Sequence, residues 1–396
     1  MGATALRPLM DDREHPLSPN LGGPASGAAV PPVDYFDWYF PRLYAGVEHD
    51  LSQSGFQHPW DWSALAGGTM PADICAQFGE PLDANVWVAD REGVAPERVV
   101  VGHGVTQCLT LALLAAMEEG SSRRVAVEMP SYAPASQFPR LLGCEVVPFW
   151  RGPAHSGDTG PWLLDREGLA EMLGDVSAVV TTTPQNPTGW TMTADDQQWL
   201  ADACAEAGVG IVADEVYLDS TRGTPDHRPF FTYGEHCLSV NSLTKCYGLG
   251  TLRFGWVIGS EARISAATRA MHNLQSMLSI PTLRLIKLAW PHLTEPLALS
   301  RRRREQNLPL LLEVLAAHGI DWTPPPSGIF GCIALPGDCD AQQAIEQVAE
   351  PLGLLAIPCT MFAPQLANQI RIGWGASPEE FQQSLAAFDE FLGRLT

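Results

Sequence analysis

The sequence predicts an α/β fold: a large domain on a mostly parallel seven-stranded sheet covered by helices, then a smaller α+β C-terminal domain. Three observations carry this expectation. Short runs rich in β-branched residues recur from Arg98 onward, helix-like stretches lie between most of them, and beyond about residue 260 the pattern turns to long helices and a compact tail.

Taken in order, residues 1 to about 30 are rich in Pro, Gly and Ala without periodicity and read as a flexible arm. "VDYFDWYFPRLYAG" (33–46) then brings six aromatics together, as an amphipathic helix packed on a core or as a contact with a partner subunit. The strand-like runs are "RVVVGHG", "RVAVEM", "CEVVPF", "AVVTTT", "VGIVADE", "CLSVNSLT" and "FGWVIG". They are apolar on both faces and separated by stretches such as "VTQCLTLALLAAMEEG" and "ADDQQWLADACAEAG", which is the signature of parallel strands covered on both sides. The link between the last two is too short for a helical crossover, so "FGWVIG" is expected to run antiparallel. "EPLALSRRRREQNLPLLLEVLAAHG" (295–319) reads as a long helix whose four arginines form a solvated face. "GCIALPG", "LGLLAIP" and "QIRIGWG" supply the strands of the tail. The expected division is 1–48 for arm and aromatic helix, 49–295 for the large domain and 296–396 for the small one.

Composition narrows the function. A net charge of −21 argues against nucleic acid and anionic membrane as partners. No apolar run approaches the roughly 20 residues of a membrane span, and no signal-peptide pattern opens the chain, so a cytoplasmic protein is expected. Nine cysteines scattered without paired spacing read as reduced thiols, and no metal site is expected.

Of 24 basic residues only Lys245 and Lys287 are lysines. Lys245 stands in "SLTKCYGLGTLRFGW", between a strand and a glycine-rich turn. Arginine supplies charge almost anywhere but stays protonated, so a lysine held here points to amine chemistry. Ligands of parallel sheets bind beyond the carboxyl ends of the strands. "GHGVTQ", "TTTPQNPTGW", "ADEVYLDS" and "SLTK" all follow strand-like runs, so one crevice gathers Gly104, Val105, Thr106, Asn186, Asp214, Tyr217 and Lys245. Taken singly, Asp214 reads equally as a helix cap, Asn186 as a turn residue before Pro187, and Thr106 as a capping residue.

The order NPTG, DEVY, SxTKxxGxxxxRxGW and a late RIG resembles the class I/II aminotransferase family of pyridoxal phosphate enzymes, fold type I, from about Asp50 to the C-terminus. The resemblance implies an aspartate-aminotransferase-like fold and pyridoxal 5'-phosphate as cofactor. It implies that Lys245 forms the Schiff base and shuttles the proton, that Asp214 pairs with the ring nitrogen, and that Asn186 and Tyr217 bond the phenolic oxygen. Gly104, Val105, Thr106, Ser242 and Arg253 fall at its phosphate-binding positions, and Tyr132 where an aromatic stacks on the ring. Arg371 falls where the substrate carboxylate is gripped, and Gly55 where a backbone amide reaches it; a structural ion pair and a plain turn are the plainer readings of these two. A small-molecule amino acid as substrate and a homodimer are also implied. Two departures stand out. Phe78 occupies a position where the family usually has tyrosine, and "SQSGF" replaces an apolar-Gly-x-Pro segment and is similar to the "SSSG" of capreomycidine synthase, a cyclising member. The resemblance therefore implies an aminotransferase moving an amino group from an amino acid to a 2-oxo acid, with elimination, replacement or cyclisation at Cβ or Cγ as the alternative. A non-catalytic regulator is disfavoured by the acidic charge and the absence of a winged-helix segment.

Overall fold

The computed structural model describes residues 33–68, 74, 82–117, 122–153, 160–337 and 339–395. The N-terminal arm and Phe78 lie outside them. The strands are β1 (His49–Asp50), β2 (Val99–Gly102), β3 (Arg124–Met129), β4 (Glu145–Pro153), β5 (Trp162–Leu164), β6 (Ala178–Thr182), β7 (Gly210–Asp214), β8 (Cys237–Ser242), β9 (Gly255–Ile258), β10 (Phe330–Ala334), β11 (Leu354–Leu355), β12 (Ile357–Pro358) and β13 (Gln369–Gly373).

The main sheet has eight strands in the order β2-β9-β8-β7-β6-β3-β4-β5. Its central pairs β4-β3, β3-β6, β6-β7 and β7-β8 are parallel, while β9 runs antiparallel to both β8 and β2, as the short lysine-bearing link requires. All seven expected strands are present. The eighth, β5, is a three-residue antiparallel edge on β4, too short to leave a period in the sequence. β6, β7 and β8 are buried at every position, which is why they read as unbroken apolar runs instead of alternating ones. The helix Ala194–Ala207 illustrates the local code. The Thr193 hydroxyl accepts from the Asp196 amide, Asp195 and Asp196 sit in the positive first turn, and Gly208 ends the helix in the left-handed region.

A second sheet, β10-β13-β12, is antiparallel throughout. The expected helix over 33–46 spans Asp34–Ala45, and Tyr35, Trp38 and Tyr39, at i, i+3 and i+4, bury one face in the core of this second sheet. Trp38 Nε1 donates to Glu346 and Arg42 pairs with Glu350. On the other face Phe36, Phe40 and Tyr44 stack in a row, with Tyr44 78% exposed. The segment after this helix joins the same body: β1 pairs with β11, and the Gly373 amide donates to Leu51 O.

The arginine run on the helix Thr294–Ala317 corrects the sequence reading. Arg301, Arg303 and Arg304 do not simply face solvent; they donate to the carbonyls of Arg222, Gly375, Gly328 and Pro325, tying the helix to loops of both sheets. Carbonyls left over at loop ends are met here by forked donors that need no carboxylate partner.

Candidate active site

The carboxyl ends of β2, β6, β7 and β8 open on one crevice, and the second sheet faces it. Lys245 lies in the loop after β8, its Nζ 3.4 Å from Ser54 Oγ. Burial, then the charges of Arg371 and Arg253, lower its amine to about 8. Gly55 packs against this side chain, since a Cβ there would stand 3.3 Å from Lys245 Cδ, and the Phe56 amide donates to Lys245 O.

Asp214 ends β7, 2% exposed. Its carboxylate accepts from the Val216 amide at 3.1 Å and has no arginine against it, so burial pushes it up to about 7. Tyr217 packs against Phe330 at 4.7 Å between ring centres with the rings tilted by 55°, and its hydroxyl lies 3.0 Å from Ser54 Oγ. Burial raises its phenol, with Arg371 and Ser54 acting the other way. Asn186 Oδ1 accepts from Arg371 Nη1 at 2.8 Å. Arg371, on β13 and 1% exposed, donates through Nη2 to Ser52 O, lies 3.4 Å from Tyr35 Oη and leaves Nε without a partner.

The other face of the crevice holds Gly104, Val105 and Thr106, which begin the 13-residue helix Gly104–Ala116 directly after β2. Gly104 has φ +69°, and a Cβ on it would stand 2.8 Å from Arg253 Nη2. Arg253 is itself left-handed at φ +48°, which aims its guanidinium at this helix start, where it has no hydrogen-bond or ion-pair partner among the described residues. Free amides at a helix start beside an unneutralised guanidinium make a cradle for an anion. Ser242 Oγ accepts from the Thr244 amide at 3.2 Å. Tyr132 precedes the helix Ala133–Leu141, edge-on to Tyr35 at 5.9 Å, and burial pushes its phenol up, with Tyr217, Asp214 and Arg253 in electrostatic reach.

One crevice thus joins Gly55, Gly104, Tyr132, Asn186, Asp214, Tyr217, Lys245, Arg253 and Arg371 by contact or charge, while Val105 and Thr106 follow Gly104 on its helix and Ser242 stands opposite Gly255. Two polar groups in it escape sequence reasoning. Ser54 touches both Lys245 and Tyr217, and Tyr35 reaches Arg371 from the N-terminal helix. The first stood in "SQSGF", where only Gly55 drew notice; nothing in the aromatic segment marks the second.

Fold and crevice together define a fold type I, pyridoxal-phosphate-dependent architecture. The profile of the aminotransferase class I and II family matches residues 88–388, and the chain belongs to this family. It is an enzyme, with pyridoxal phosphate as cofactor. Capreomycidine synthase of Streptomyces vinaceus is 26% identical over 390 residues, covering 93% of this chain and 96% of that one. An arginine–pyruvate transaminase of Pseudomonas aeruginosa is 25% identical over 332 residues, covering 80% and 81%. In three dimensions a PLP-dependent aminotransferase from Streptococcus suis superposes with a TM-score of 0.81 at 21% identity, over 93% of this chain and 99% of that one.

Proposed function

We propose that the enzyme is an aminotransferase moving the amino group of an amino acid to a 2-oxo acid, with Lys245 as its catalytic base. The observation that carries this reading is the unmatched charge of the crevice. Asp214 is a buried carboxylate with no guanidinium partner, and Arg253 is a guanidinium with no carboxylate. Pyridoxal phosphate fits both ends, a cationic ring nitrogen for Asp214 and a phosphate for Arg253, Ser242 and the amides of Gly104, Val105 and Thr106.

When bound, the cofactor supplies an electron-withdrawing ring that acidifies the Cα–H of an attached amino acid. Lys245 Nζ would be its covalent anchor and, as a free amine, the base that takes the Cα proton; an amine lowered to about 8 is neutral often enough for this near neutral pH. Asp214 holds negative charge against the ring nitrogen. Tyr217 Oη would donate to the phenolic oxygen, and so would Asn186 Nδ2, since Asn186 Oδ1 already accepts from Arg371. Tyr132 covers the ring. Arg371, with Nε unpartnered, takes the substrate carboxylate, assisted by the Gly55 amide.

The work is divided between a cofactor-binding domain over 49–295 and a small domain over 296–396, with the start of the first, 49–53, attached to the sheet of the second. The active unit is a homodimer, a reading supported by Phe40 and Tyr44, which stand exposed among the described residues at the end of the aromatic row on the N-terminal helix. The enzyme works in the cytoplasm in a biosynthetic pathway, a reading supported by the likeness to capreomycidine synthase along 93% of the chain. That likeness also favours the second reaction, elimination or cyclisation on the same cofactor. The test is to feed an amino acid with no 2-oxo acid present. Aminotransfer consumes one equivalent per site and stops; sustained turnover without acceptor establishes the second reaction instead.

A further inference from the structure

Ser54 is 5% exposed, and its single side-chain oxygen reaches both the Lys245 amine, at 3.4 Å, and the Tyr217 hydroxyl, at 3.0 Å. The segment that carries it is fixed by its own contacts. Asp50 Oδ1 accepts from the Ser52 amide and hydroxyl, Asp50 Oδ2 accepts from Gln53 Nε2, and Ser52 O accepts from Arg371. The Phe56 amide then closes on Lys245 O at 2.7 Å. The hydroxyl is held in position from both sides, and only its hydrogen is free to turn.

We propose that Ser54 is a catalytic residue of this site: its hydroxyl turns between Tyr217 and Lys245, partnering the amine in both its charged and its neutral state. The inference rests on Lys245 being the reacting amine, as read above. A serine hydroxyl has one donor and two acceptor positions, whereas an ammonium only donates. While Lys245 is charged, Nζ–H donates to Ser54 Oγ, and the serine hydrogen points to Tyr217 Oη. When the amine gives up its proton and exposes a lone pair, the serine hydrogen turns to it, and Tyr217 donates to the vacated oxygen. The amine stays directed into the crevice through both halves of proton transfer; the proton it gives or takes is exchanged with the substrate, while the serine and tyrosine hydrogens only change partner.

The other groups facing Lys245 cannot do this. Arg371 and Arg253 only oppose its charge, Asp214 and Cys246 only favour it, and Tyr35 bears on Tyr217 and Arg371.

The test uses the near absence of lysine from the chain. Reductive methylation of cofactor-free protein across pH, read by mass spectrometry, follows Lys245 with Lys287 as an internal standard. Ser54→Ala removes a partner of both states, but the bond from the charged amine is charge-assisted and the stronger of the two, so the Lys245 midpoint should fall by about half to one pH unit while that of Lys287 stays. In the loaded enzyme, kcat should fall about 10- to 100-fold with KM within about threefold. The losses in Ser54→Ala and Tyr217→Phe should be less than additive in the double variant, because they break one chain. Ser54→Cys, of similar volume and weaker donor strength, should move the midpoint less in the same direction, and it decides the matter if the alanine variant does not fold. An unmoved Lys245 midpoint with kcat intact overturns the role of Ser54. Failure of borohydride to trap the cofactor on Lys245 in the wild type overturns the underlying reading instead.

Discussion

Asp214 ends β7 and Asp219 follows it closely in the next loop, and both are buried, yet they live in opposite electrostatic surroundings. Asp219 is met by Arg222 at 2.7 Å, by Arg91 at 3.6 Å and by the Tyr247 hydroxyl; although burial raises its carboxyl, the two guanidinium charges hold it below the usual range. Arg222 and Arg91 also pair with Glu92, so the cluster balances internally. Asp214 has one backbone amide and a distant lysine, and stands at about 7. A closed network of charges holds the chain together and asks for nothing further. A buried charge without its counter-ion is a vacancy of one sign, which is what a cationic ring nitrogen fills.

The largest effect expected on this contrast comes from Lys245→Ala. Borohydride should then trap no cofactor on the chain, and turnover should fall by orders of magnitude; trapping on Lys287 would place the chemistry outside the crevice.

The two aspartates themselves should separate next. Asp214→Asn should keep cofactor bound but lower turnover by about 10²–10³-fold, as the ring nitrogen loses its counter-charge. Asp219→Asn should leave turnover per folded molecule largely unchanged. It should cost about 3–5 kcal/mol of unfolding free energy in urea titrations, the usual toll of stranding one side of a buried pair. Exchanged outcomes would mean that the roles are exchanged.

The pH dependence of cofactor-free stability sharpens the same point. Asp214, raised from 3.8 to about 7, contributes stability that is complete below its unfolded value and lost as pH rises through about 7. Lys245, lowered from 10.5 to about 8, contributes stability present above its unfolded value and lost as pH falls through about 8. Both losses coincide between about 7 and 8, where thermal melts of the cofactor-free protein should show a dip that cofactor removes. Asp214→Asn should flatten its acid side. Asp219, being depressed, acts in the opposite sense, losing its contribution as pH falls through its folded value.

The smallest effect is expected from Gly104→Ala. At φ +69° and with Arg253 Nη2 in the way, the methyl group should cost about 1–2 kcal/mol and weaken cofactor retention, read as faster loss on dialysis.

What the sequence disclosed follows from chemistry that is local. Parallel strands buried on both faces must be apolar throughout, and the polar clusters NPTG, DEVY and SLTK stand out against them at the strand ends. Asn186, Asp214, Tyr217 and Lys245 could therefore be placed together. Ser54 could not, because its partners lie 163 and 191 residues further along the chain and no spacing encodes that meeting. Tyr35 was hidden among aromatics that serve the core. The arginines of 301–304 resemble any solvated run until the carbonyls they meet are known. β5, at three residues, carries too little pattern to be read.

The attachment of residues 49–56 to the second sheet has a mechanical consequence. β1 pairs with β11, Gly373 N donates to Leu51 O, and a Cβ on Gly373 would lie 2.0 Å from Gln53 O, so the backbones are nested with no slack. Ser54 therefore sits between two anchorages: Leu51 and Ser52 tie it to the sheet that carries Arg371, and the Phe56 amide ties the same loop to Lys245 O. The loop is a taut tether, through which a strain at the carboxylate clamp reaches the hydroxyl partner of the amine.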